Sequence, residues 1–264
     1  MLGMFRSLWN YRYFVLSSIR NELITRFIRS RLGGLWMIIN PLAQVAIYAL
    51  ILSNVIAAKL PGIDNKYAYA IYLMAGLLAW TLFNDIVSRC LNLFIEQGNL
   101  MKKMQFPKIT LPAIVVGFNL VNNLLLFTAM TGIFVVLGHG FTFAMLWLTP
   151  LTMALAAFAL SVGLILGIMN VFIRDIGQAV PIIMQVWFWF TPIVYSPNVI
   201  PGQYRYLLQL NPVYHFTSAY QQVIVYGQNP QMEGLLVISI LSVVLLTVSL
   251  FLFRRASEEM VDVL

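Results

Sequence analysis

Charged residues are scarce in this chain of 264 residues: Asp, Glu, Lys and Arg together make up 9%, whereas 61% of the residues are apolar. So little charge cannot cover the surface of a water-soluble protein of this size, so lipid must solvate much of the chain. The mean hydropathy of +0.85 agrees with this conclusion. The sequence therefore predicts an integral membrane protein, without a separate soluble domain.

Residues that carry chemistry are also rare. A single cysteine, Cys90, excludes an internal disulfide, and the two histidines, His139 and His215, are too isolated to suggest a metal site. No Gly-x-x-x-x-Gly-Lys-Ser/Thr motif occurs, so we do not expect the chain to hydrolyse ATP. Neither a carboxylate pair nor a nucleophile with a base marks a predicted cleft. We therefore predict no catalytic residue, no metal and no cofactor in this chain.

Six stretches are apolar and long enough to cross a bilayer, whose hydrocarbon core needs roughly 20 helical residues. Backbone groups find no water in hydrocarbon and no barrel-like alternation occurs, so the stretches are predicted to be helices. They cover residues 35–57, 68–94, 111–137, 143–172, 177–196 and 233–253. The predicted fold is an all-α integral membrane protein with six transmembrane helices in residues 34–254 and a tail at 255–264. No cleavable signal pattern precedes the first span.

Basic residues are distributed very unevenly over the two faces of this six-span arrangement. Of the 16 Lys and Arg residues, only Lys59, Lys66 and Arg205 lie on one face, and the remaining 13 lie on the other. Because basic loops stay in the cytoplasm, both termini are predicted to be cytoplasmic. The net charge of +7 is therefore accounted for by basic residues in cytoplasmic loops, and no nucleic-acid partner is predicted.

Residues 16–31 have two distinct faces when they are placed on a helix. The apolar face is Leu16, Ile19, Leu23, Ile24, Phe27 and Ile28, and the polar face is Asn21, Glu22, Thr25, Arg26 and Arg29. Glu22 precedes Arg26 by four residues, the favourable order for an ion pair. So many charges cannot cross a bilayer, so residues 1–33, with Arg31, are predicted to hold an amphipathic helix in the membrane interface. The alternative is a basic flank that only sets orientation.

The loop after the second span, residues 96–107, mixes basic and apolar side chains. Such a segment is suited to docking into a groove of a soluble partner, with the apolar residues as exposed anchors. Two lysines in an inside loop could equally do no more than set orientation. The docking candidates are Met101, Lys102, Lys103, Gln105, Phe106 and Pro107.

Few polar residues lie within the predicted spans. Asp85 and Arg89 stand four apart, and an ionisable residue in a membrane helix is a functional candidate. A structural ion pair is the favoured interpretation, because Arg89 can reach the interface while it pairs with Asp85. Three amides are predicted to join helices rather than line a polar path, and two glycines to permit close helix packing. These residues are Asn119, Asn122 and Asn123, and Gly163 and Gly167.

Motifs near the N-terminus resemble those of ABC-2 type permeases, and more narrowly the membrane subunits that export bacterial surface polysaccharides. These motifs are Asn21-Glu22-Leu23, Arg26-Phe27, Arg29-Ser30, Leu32-Gly33, Trp36 and Asn40-Pro41. The basic loop Leu100-Met101-Lys102-Lys103 with Phe106-Pro107, and the later Asn211-Pro212, are similar to the family pattern as well. Family members often carry an arginine soon after the last motif, where this chain has Gln221 and Gln222.

The resemblance implies a transporter subunit rather than an enzyme. A homodimeric channel in the bacterial inner membrane would move a lipid-linked polysaccharide, O-antigen in the first instance, from cytoplasm to periplasm. Two copies of a separate ATPase subunit would bind ATP and Mg and dock at residues 96–107 and at the interface helix. Two short re-entrant half-helices would occupy the external segment 198–228. The first and fifth spans would lie near the seam of the dimer.

Other functions remain open from the sequence. The substrate could be capsule or teichoic acid, or the chain could be an ABC-2 exporter of drugs or small lipids. A stand-alone membrane glycosyltransferase or flippase is a further alternative, but it would need an acidic metal or base pair that the sequence lacks.

Aromatic residues are concentrated at the end of the predicted fifth span. An interfacial belt explains part of this series. Flat, apolar rings would also let successive sugar units slide without tight binding. On this hypothesis Trp187 and Phe190 share a face that lines the path, whereas Trp189 faces elsewhere. The predicted path residues are Trp187, Phe190, Tyr195 and Tyr48.

Overall fold

The computed structural model describes residues 2–28, 35–55, 68–103, 106–136, 140, 142–257 and 259–263. All regular secondary structure in these ranges is helical, which confirms the predicted all-α class. The helices are α1 Leu2–Asn10, α2 Arg12–Ile28, α3 Trp36–Val55, α4 Ala68–Glu96, α5 Gly98–Lys103, α6 Thr110–Val136, α7 Leu148–Phe172, α8 Ile176–Phe190, α9 Arg205–Gln209, α10 Pro212–Val225, α11 Met232–Ala256 and α12 Glu259–Val263. Single 3-10 turns cover Phe143–Trp147, Pro197–Val199 and Gly202–Tyr204.

Four helical stretches are long and apolar enough to cross a membrane. They are Ala68–Glu96, Thr110–Val135, Phe143–Phe172 and Met232–Ala256, and they match the predicted second, third, fourth and sixth spans. The apolar helical stretches described at the positions of the first and fifth spans are shorter, Ile38–Ile47 and Ile176–Phe190. The chain is therefore a multi-pass membrane protein, and the count of six spans stays a prediction.

Helix α8 ends earlier than predicted. The fifth span was expected to run to residue 196, but the helix stops at Phe190 and Thr191 adopts extended angles of φ −102° and ψ 125°. The residue before a proline is pushed out of the helical region by the proline ring, and Pro192 follows Thr191. The helix thus ends six residues before the predicted end of the span, and the physical reason is local.

Helix α4 lies at the centre of the bundle. Its residues are buried on nearly every side, and it packs against α3, α6, α7 and α10. The first half of α4, residues 68–80, is apolar on every side and suits this central position, because it has no polar face to turn outward. Helices α6 and α11 are peripheral by comparison and expose much more of their apolar surface.

Helices α7 and α4 approach each other closely at two glycines. A methyl group added at Gly163 would lie 2.7 Å from Cys90 Cβ, and one added at Gly167 would overlap the Cys90 carbonyl oxygen. The two glycines therefore let the backbones approach where any side chain would separate them. This confirms the predicted role of the glycine pair and identifies α4 as its partner.

Side-chain amides tie neighbouring helices to α4. Asn123 Nδ2 donates to the Leu78 carbonyl at 2.9 Å, which confirms the predicted bridging role for this amide. Asn170 Nδ2 donates to the Leu91 carbonyl at 2.9 Å and fixes the end of α7. Asn119 instead bonds within its own helix. Such bonds matter in lipid because water cannot replace them.

Helix α10 is inserted among the long helices rather than lying on their surface. It packs mainly on α4 and also contacts α7 and α11. Its Tyr220 is fully buried and shares a hydrogen bond with Thr152 of α7. The predicted external segment 198–228 thus contains two short helices, α9 and α10, and their re-entry into the membrane stays a prediction.

Both described chain ends lie at one end of the bundle, which we call the terminal end. The last helix, α12, contacts α5 and α7, and its Met260 is fully buried. Residues 255–264 were expected to form a cytoplasmic tail, and the structure shows that this tail contains a short helix. Met260 belongs to the apolar core, whereas Val263 at the end of α12 is exposed, and the short sequence pattern did not indicate this contact.

Candidate functional site

The segment that follows α8 is irregular and mostly buried, at the end of the bundle opposite the chain termini. We call residues 191–195 the clamped segment, because side chains from α4 and α10 hold its carbonyls. Tyr69 donates its hydroxyl to Val194 at 2.6 Å, and Tyr72 donates to Pro192 at 3.3 Å and to Tyr195 at 3.2 Å. Irregular backbone that is buried away from water is stable only where protein groups satisfy its hydrogen bonds, as they do here.

Helix α10 contributes to the same clamp through Gln221. Its amide nitrogen donates to the Pro192 carbonyl at 3.2 Å, and the side chain is buried. A methyl group at Gly76 would lie 2.9 Å from this amide, so the small residue on α4 makes room for it. Gln221 therefore has a structural task at the position where the resemblance suggested an arginine.

Asn211 joins the end of α8 to the start of α10. Its Oδ1 accepts hydrogen bonds from Trp187 Nε1 at 2.9 Å and from the Val213 amide at 3.0 Å. Its Nδ2 donates to Thr191 Oγ1 at 2.9 Å. The residue is the N-cap of α10 and Pro212 occupies the first turn, which together define where the helix begins.

Helix α8 touches the bundle by a narrow stripe only. Val180, Met184 and Phe188 are buried at spacings of four residues. The opposite side is uncovered, and we call it the open face of α8. Its central line is formed by Gln178, Ile182, Gln185 and Trp189, all exposed. These residues recur every three or four positions, so they share one side of the helix.

The structure divides the predicted path residues differently from the sequence analysis. Trp187 turns inward, where its ring packs edge-on against Phe83 at 5.3 Å. Trp189 and Phe190 are 55% and 67% exposed. The expectation that Trp187 shares an exposed surface with Phe190 is therefore wrong, because Trp187 lies close to the buried stripe of α8.

The other two predicted path residues are Tyr195 and Tyr48. The Tyr195 hydroxyl donates to the Trp189 carbonyl at 2.9 Å, so it covers the last turn of α8. Tyr48 belongs to α3, but its side chain is outside the described residues.

The predicted docking loop forms the short helix α5 and the turn that follows it. Lys102 and Lys103 are exposed in the last turn of α5. Met101 is only 5% exposed, so it is not the exposed anchor that was expected. It belongs to the core because α5 lies against α4 and α12.

The turn after α5 is partly covered by the N-terminal region. Phe106 is half-buried and its ring centroid lies 6.2 Å from that of Phe14 on α2. Pro107 is half-buried too, and Gln105 is outside the described residues. Of the docking candidates that the structure describes, Lys102 and Lys103 are the exposed ones.

Helix α2 is fastened to the bundle by an ion pair that the sequence did not predict. Arg89 Nη2 lies 2.5 Å from Glu22 Oε1, across 67 residues of sequence. Its guanidinium also lies 4.6 Å from the centroid of the Phe118 ring. Ile19 of α2 packs directly on Gly117 of α6, and a methyl group added at Gly117 would displace the end of the Ile19 side chain.

These contacts differ from the faces that the sequence predicted for the interface helix. Glu22 was expected on the outward polar face, but it turns toward Arg89 and is half-buried. Leu16, expected on the inward face, is largely exposed. The Asp85–Arg89 pair and the other basic residues of this helix stay predictions. The side chain of Arg26, and all of Arg29 and Arg31, lie outside the described residues.

Sequence reasoning missed most of the residues that hold the clamped segment. Tyr69 and Tyr72 were counted only as part of an apolar span, although their spacing of three places both hydroxyls on one side of α4. Asn211-Pro212 did carry a signal, since Asn before Pro marks a helix start. The clamped segment that these residues hold could not be predicted from the sequence, because it lies more than 100 residues away from Tyr69 and Tyr72.

Taken together, the described fold is that of a helical, multi-pass membrane protein whose irregular segment and short inserted helices lie at one end of the bundle. Comparison with known proteins places it more narrowly. The profile of the ABC-2 type transporter family matches residues 14–225, so the chain belongs to that family.

Individual relatives match nearly the whole chain. An O-antigen export system permease protein, RfbA, of Myxococcus xanthus is 28% identical over 99% of both chains. A protein of the same name from Klebsiella pneumoniae is 25% identical over 96% of both chains. A polysialic acid transport protein, KpsM, of Escherichia coli is 25% identical over 90% of this chain and 92% of its own.

Proposed function

We propose that this chain is the permease subunit of an ATP-driven exporter that carries a lipid-linked polysaccharide, O-antigen in the first instance, from cytoplasm to periplasm. End-to-end similarity to permeases named for O-antigen export supports the substrate class. The likeness to a polysialic acid transport protein favours a capsular polysaccharide as the second candidate. A separate ATPase subunit, present in two copies with ATP and Mg, would supply the energy.

The proposal includes six spans with both termini in the cytoplasm of the bacterial inner membrane. Helix α3 has 20 residues and would cover about 30 Å, enough for a hydrocarbon core. Helix α8 has 15 residues and covers only about 22 Å, so the clamped segment would complete its passage. The concentration of basic residues at the terminal end supports this orientation.

The open face of α8 is the observation that carries the proposal. Gln178 and Gln185 point outward from an otherwise apolar helix. An amide that faces hydrocarbon without a partner costs about 1–3 kcal/mol or more, so lipid is a poor neighbour for this face. A second copy of the chain, or water between two copies, would satisfy both amides. We infer a homodimer whose conduit runs beside α8.

The same face supplies a surface for a glycan. Trp189 and Phe190 are exposed at the end of α8, beside the clamped segment. Stacking of a sugar ring on an aromatic ring is weak and nearly independent of register, so a polymer can slide along such a wall. A wall of charged groups would hold the polymer instead. Among the described residues of α8 none is charged.

The coupling surface would lie at the opposite, terminal end. Lys102 and Lys103 project from α5, which is packed on α4 and α12. Helix α4 continues directly to Tyr69 and Tyr72, which hold the clamped segment. An ATPase that moves α5 would therefore act on a rigid element that reaches the exit of the conduit.

Cross-linking tests the homodimer and its conduit. Gln185→Cys in a Cys90→Ala background should form a disulfide-linked dimer in membranes, because the two open faces would meet there. Val244→Cys, exposed on α11, is the matched control and should stay monomeric.

Loss of surface glycan on deletion of the permease identifies the substrate as O-antigen or capsule. A monomeric Gln185→Cys protein in a strain that exports normally would contradict the proposed conduit.

A further inference from the structure

Three parts of the chain that are remote in sequence line an open cavity at the terminal end. They are α1, residues 106–109 and the last turn of α11, and the cavity has a volume of about 480 Å³. Met4, Phe106 and Phe253 supply apolar walls. This volume is sufficient for a phosphate group with the adjoining glycerol of a lipid, but too small for a sugar polymer.

The charge of the cavity is of one sign. Lys108 and Arg254 both line it, and no acidic residue does among the described residues. Lys108 Nζ donates to the Ser257 carbonyl, which holds the ammonium in place and leaves two of its protons for another acceptor. In the part of the chain that the structure describes, neither cation has a carboxylate partner. Two such cations favour an anion with several oxygen acceptors.

The position of α11 indicates where the cavity lies relative to the membrane. This helix is an apolar helix of 25 residues, and Arg254 belongs to its last turn, where a membrane helix meets the headgroups. Nearby on α1 and α2, Trp9 and Tyr13 are 69% and 72% exposed, and the Arg12 guanidinium lies 5.1 and 4.6 Å from their rings. Exposed aromatic and basic side chains of this kind mark the membrane interface.

We propose that this cavity binds the phosphate of an anionic phospholipid from the surrounding leaflet. Basic pockets between helices at the cytoplasmic surface are known to accept such headgroups. Lys108 and Arg254 would bind the phosphate oxygens, and the apolar walls would cover the glycerol and the first part of the acyl chains. The site is separate from the open face of α8 and does not depend on which glycan is carried.

Such a lipid would act on the coupling end of the protein. The cavity wall contains Phe106, which packs on α2, and Lys108, which holds the end of α11. A bound headgroup would therefore link the N-terminal helices, the loop after α5 and the C-terminal region. We expect the occupied cavity to stabilise these three parts together.

The test uses the purified full-length permease and measures lipid binding by native mass spectrometry, with the change in Tm as a second readout. The probes are phosphatidylglycerol, phosphatidylcholine, and inorganic phosphate and pyrophosphate. Wild-type protein should retain phosphatidylglycerol and gain stability from it. Lys108→Gln/Arg254→Gln should bind it about tenfold to thirtyfold more weakly, because each cation near the headgroup contributes to affinity.

The control is Arg6→Gln/Arg255→Gln, which removes the same charge from exposed positions that do not line the cavity. It should bind lipid like wild type. Arg254→Gln alone covers the case in which Lys108 is needed for folding, since no described hydrogen bond depends on the Arg254 guanidinium, and it should still weaken binding. Equal binding of phosphatidylcholine, equal loss in the control, or a response to free phosphate or pyrophosphate alone would overturn the proposal. Unchanged lipid binding with loss of the co-purified ATPase would instead assign the cavity to protein docking.

Discussion

Trp187 Nε1 donates a hydrogen bond of 2.9 Å to Asn211 Oδ1, and through it the last turn of α8 is fixed to the first turn of α10. The same amide oxygen accepts the Val213 amide, so one side chain caps α10 and holds the indole. The orientation of the exposed rings at the end of α8 therefore depends on a residue 24 positions later in the chain.

Asn211→Ala should weaken this junction. It removes the helix cap and leaves the Trp187 indole without its acceptor, a cost of about 1–3 kcal/mol. Trp187→Phe keeps an aromatic ring but loses the hydrogen bond to Asn211, so we expect a smaller decrease in Tm and reduced export at normal protein level. Trp189→Phe is the matched control, because that ring is exposed. Equal export by all three variants would show that the junction does not position the conduit.

Gly167→Ala should separate α4 from α7. The added methyl group would overlap the Cys90 carbonyl oxygen, which is backbone and cannot rotate away. We expect less folded protein in the membrane and a lower Tm in detergent. Gly132→Ala is the control, since nothing lies within 4 Å of a methyl group there. A Gly167→Ala protein as stable as the control would contradict the close approach of the two helices.

Glu22→Gln should loosen α2 from the bundle. The change leaves the half-buried Arg89 guanidinium without a charged partner at Glu22, and breaking one side of such a pair is more costly than its net contribution suggests. Limited proteolysis between α1 and α2 should accelerate. The double variant Glu22→Arg/Arg89→Glu should restore part of the protection, whereas Arg20→Gln, on the same helix, should have no effect. Protection that is identical in Glu22→Gln and wild type would mean that apolar contacts such as those of Ile19 and Phe14 hold the helix without the ion pair.

Removal of the exposed rings at the end of α8 should impair export. Trp189→Ala and Phe190→Ala each take away one stacking surface, and we expect a decrease of about twofold to tenfold per ring. Phe251→Ala, exposed on α11, should export like wild type at equal protein level. The measurement is surface glycan normalised to membrane-extracted permease. A decrease shared by Phe251→Ala would return these rings to a general interfacial role.

Lys102→Ala/Lys103→Ala should weaken binding of the ATPase subunit without affecting insertion of the permease into the membrane. Both side chains are exposed, whereas Met101 is buried and would destabilise α5 if it were changed. Co-purification of the ATPase, and its stimulation by the permease, should both decrease. Lys103→Cys in the Cys90→Ala background should be labelled only from the cytoplasm. Labelling from the periplasm would invert the proposed topology, and undiminished co-purification would move the docking site elsewhere.

The sequence by itself determined the membrane class, the all-α fold and four of the spans. These follow from composition and from runs of apolar residues, which are local properties that need no knowledge of neighbours. The glycine pair and the bridging role of Asn123 could also be predicted as types of contact, since small and amide residues have few other uses within a membrane helix. Their partners on α4 could not.

Only the tertiary structure decided which aromatic residues are available. Trp187 and Phe190 stand three apart, and periodicity places them near one another, but the position of the buried stripe is set by where α4 and α7 lie. The partners of Arg89 also depend on the tertiary structure. The sequence predicted a pair with Asp85, four residues away, and the packing of the bundle adds an ion pair with Glu22 from 67 residues away. Contacts over such distances depend on how whole helices pack, and packing is not encoded in any one window of the sequence.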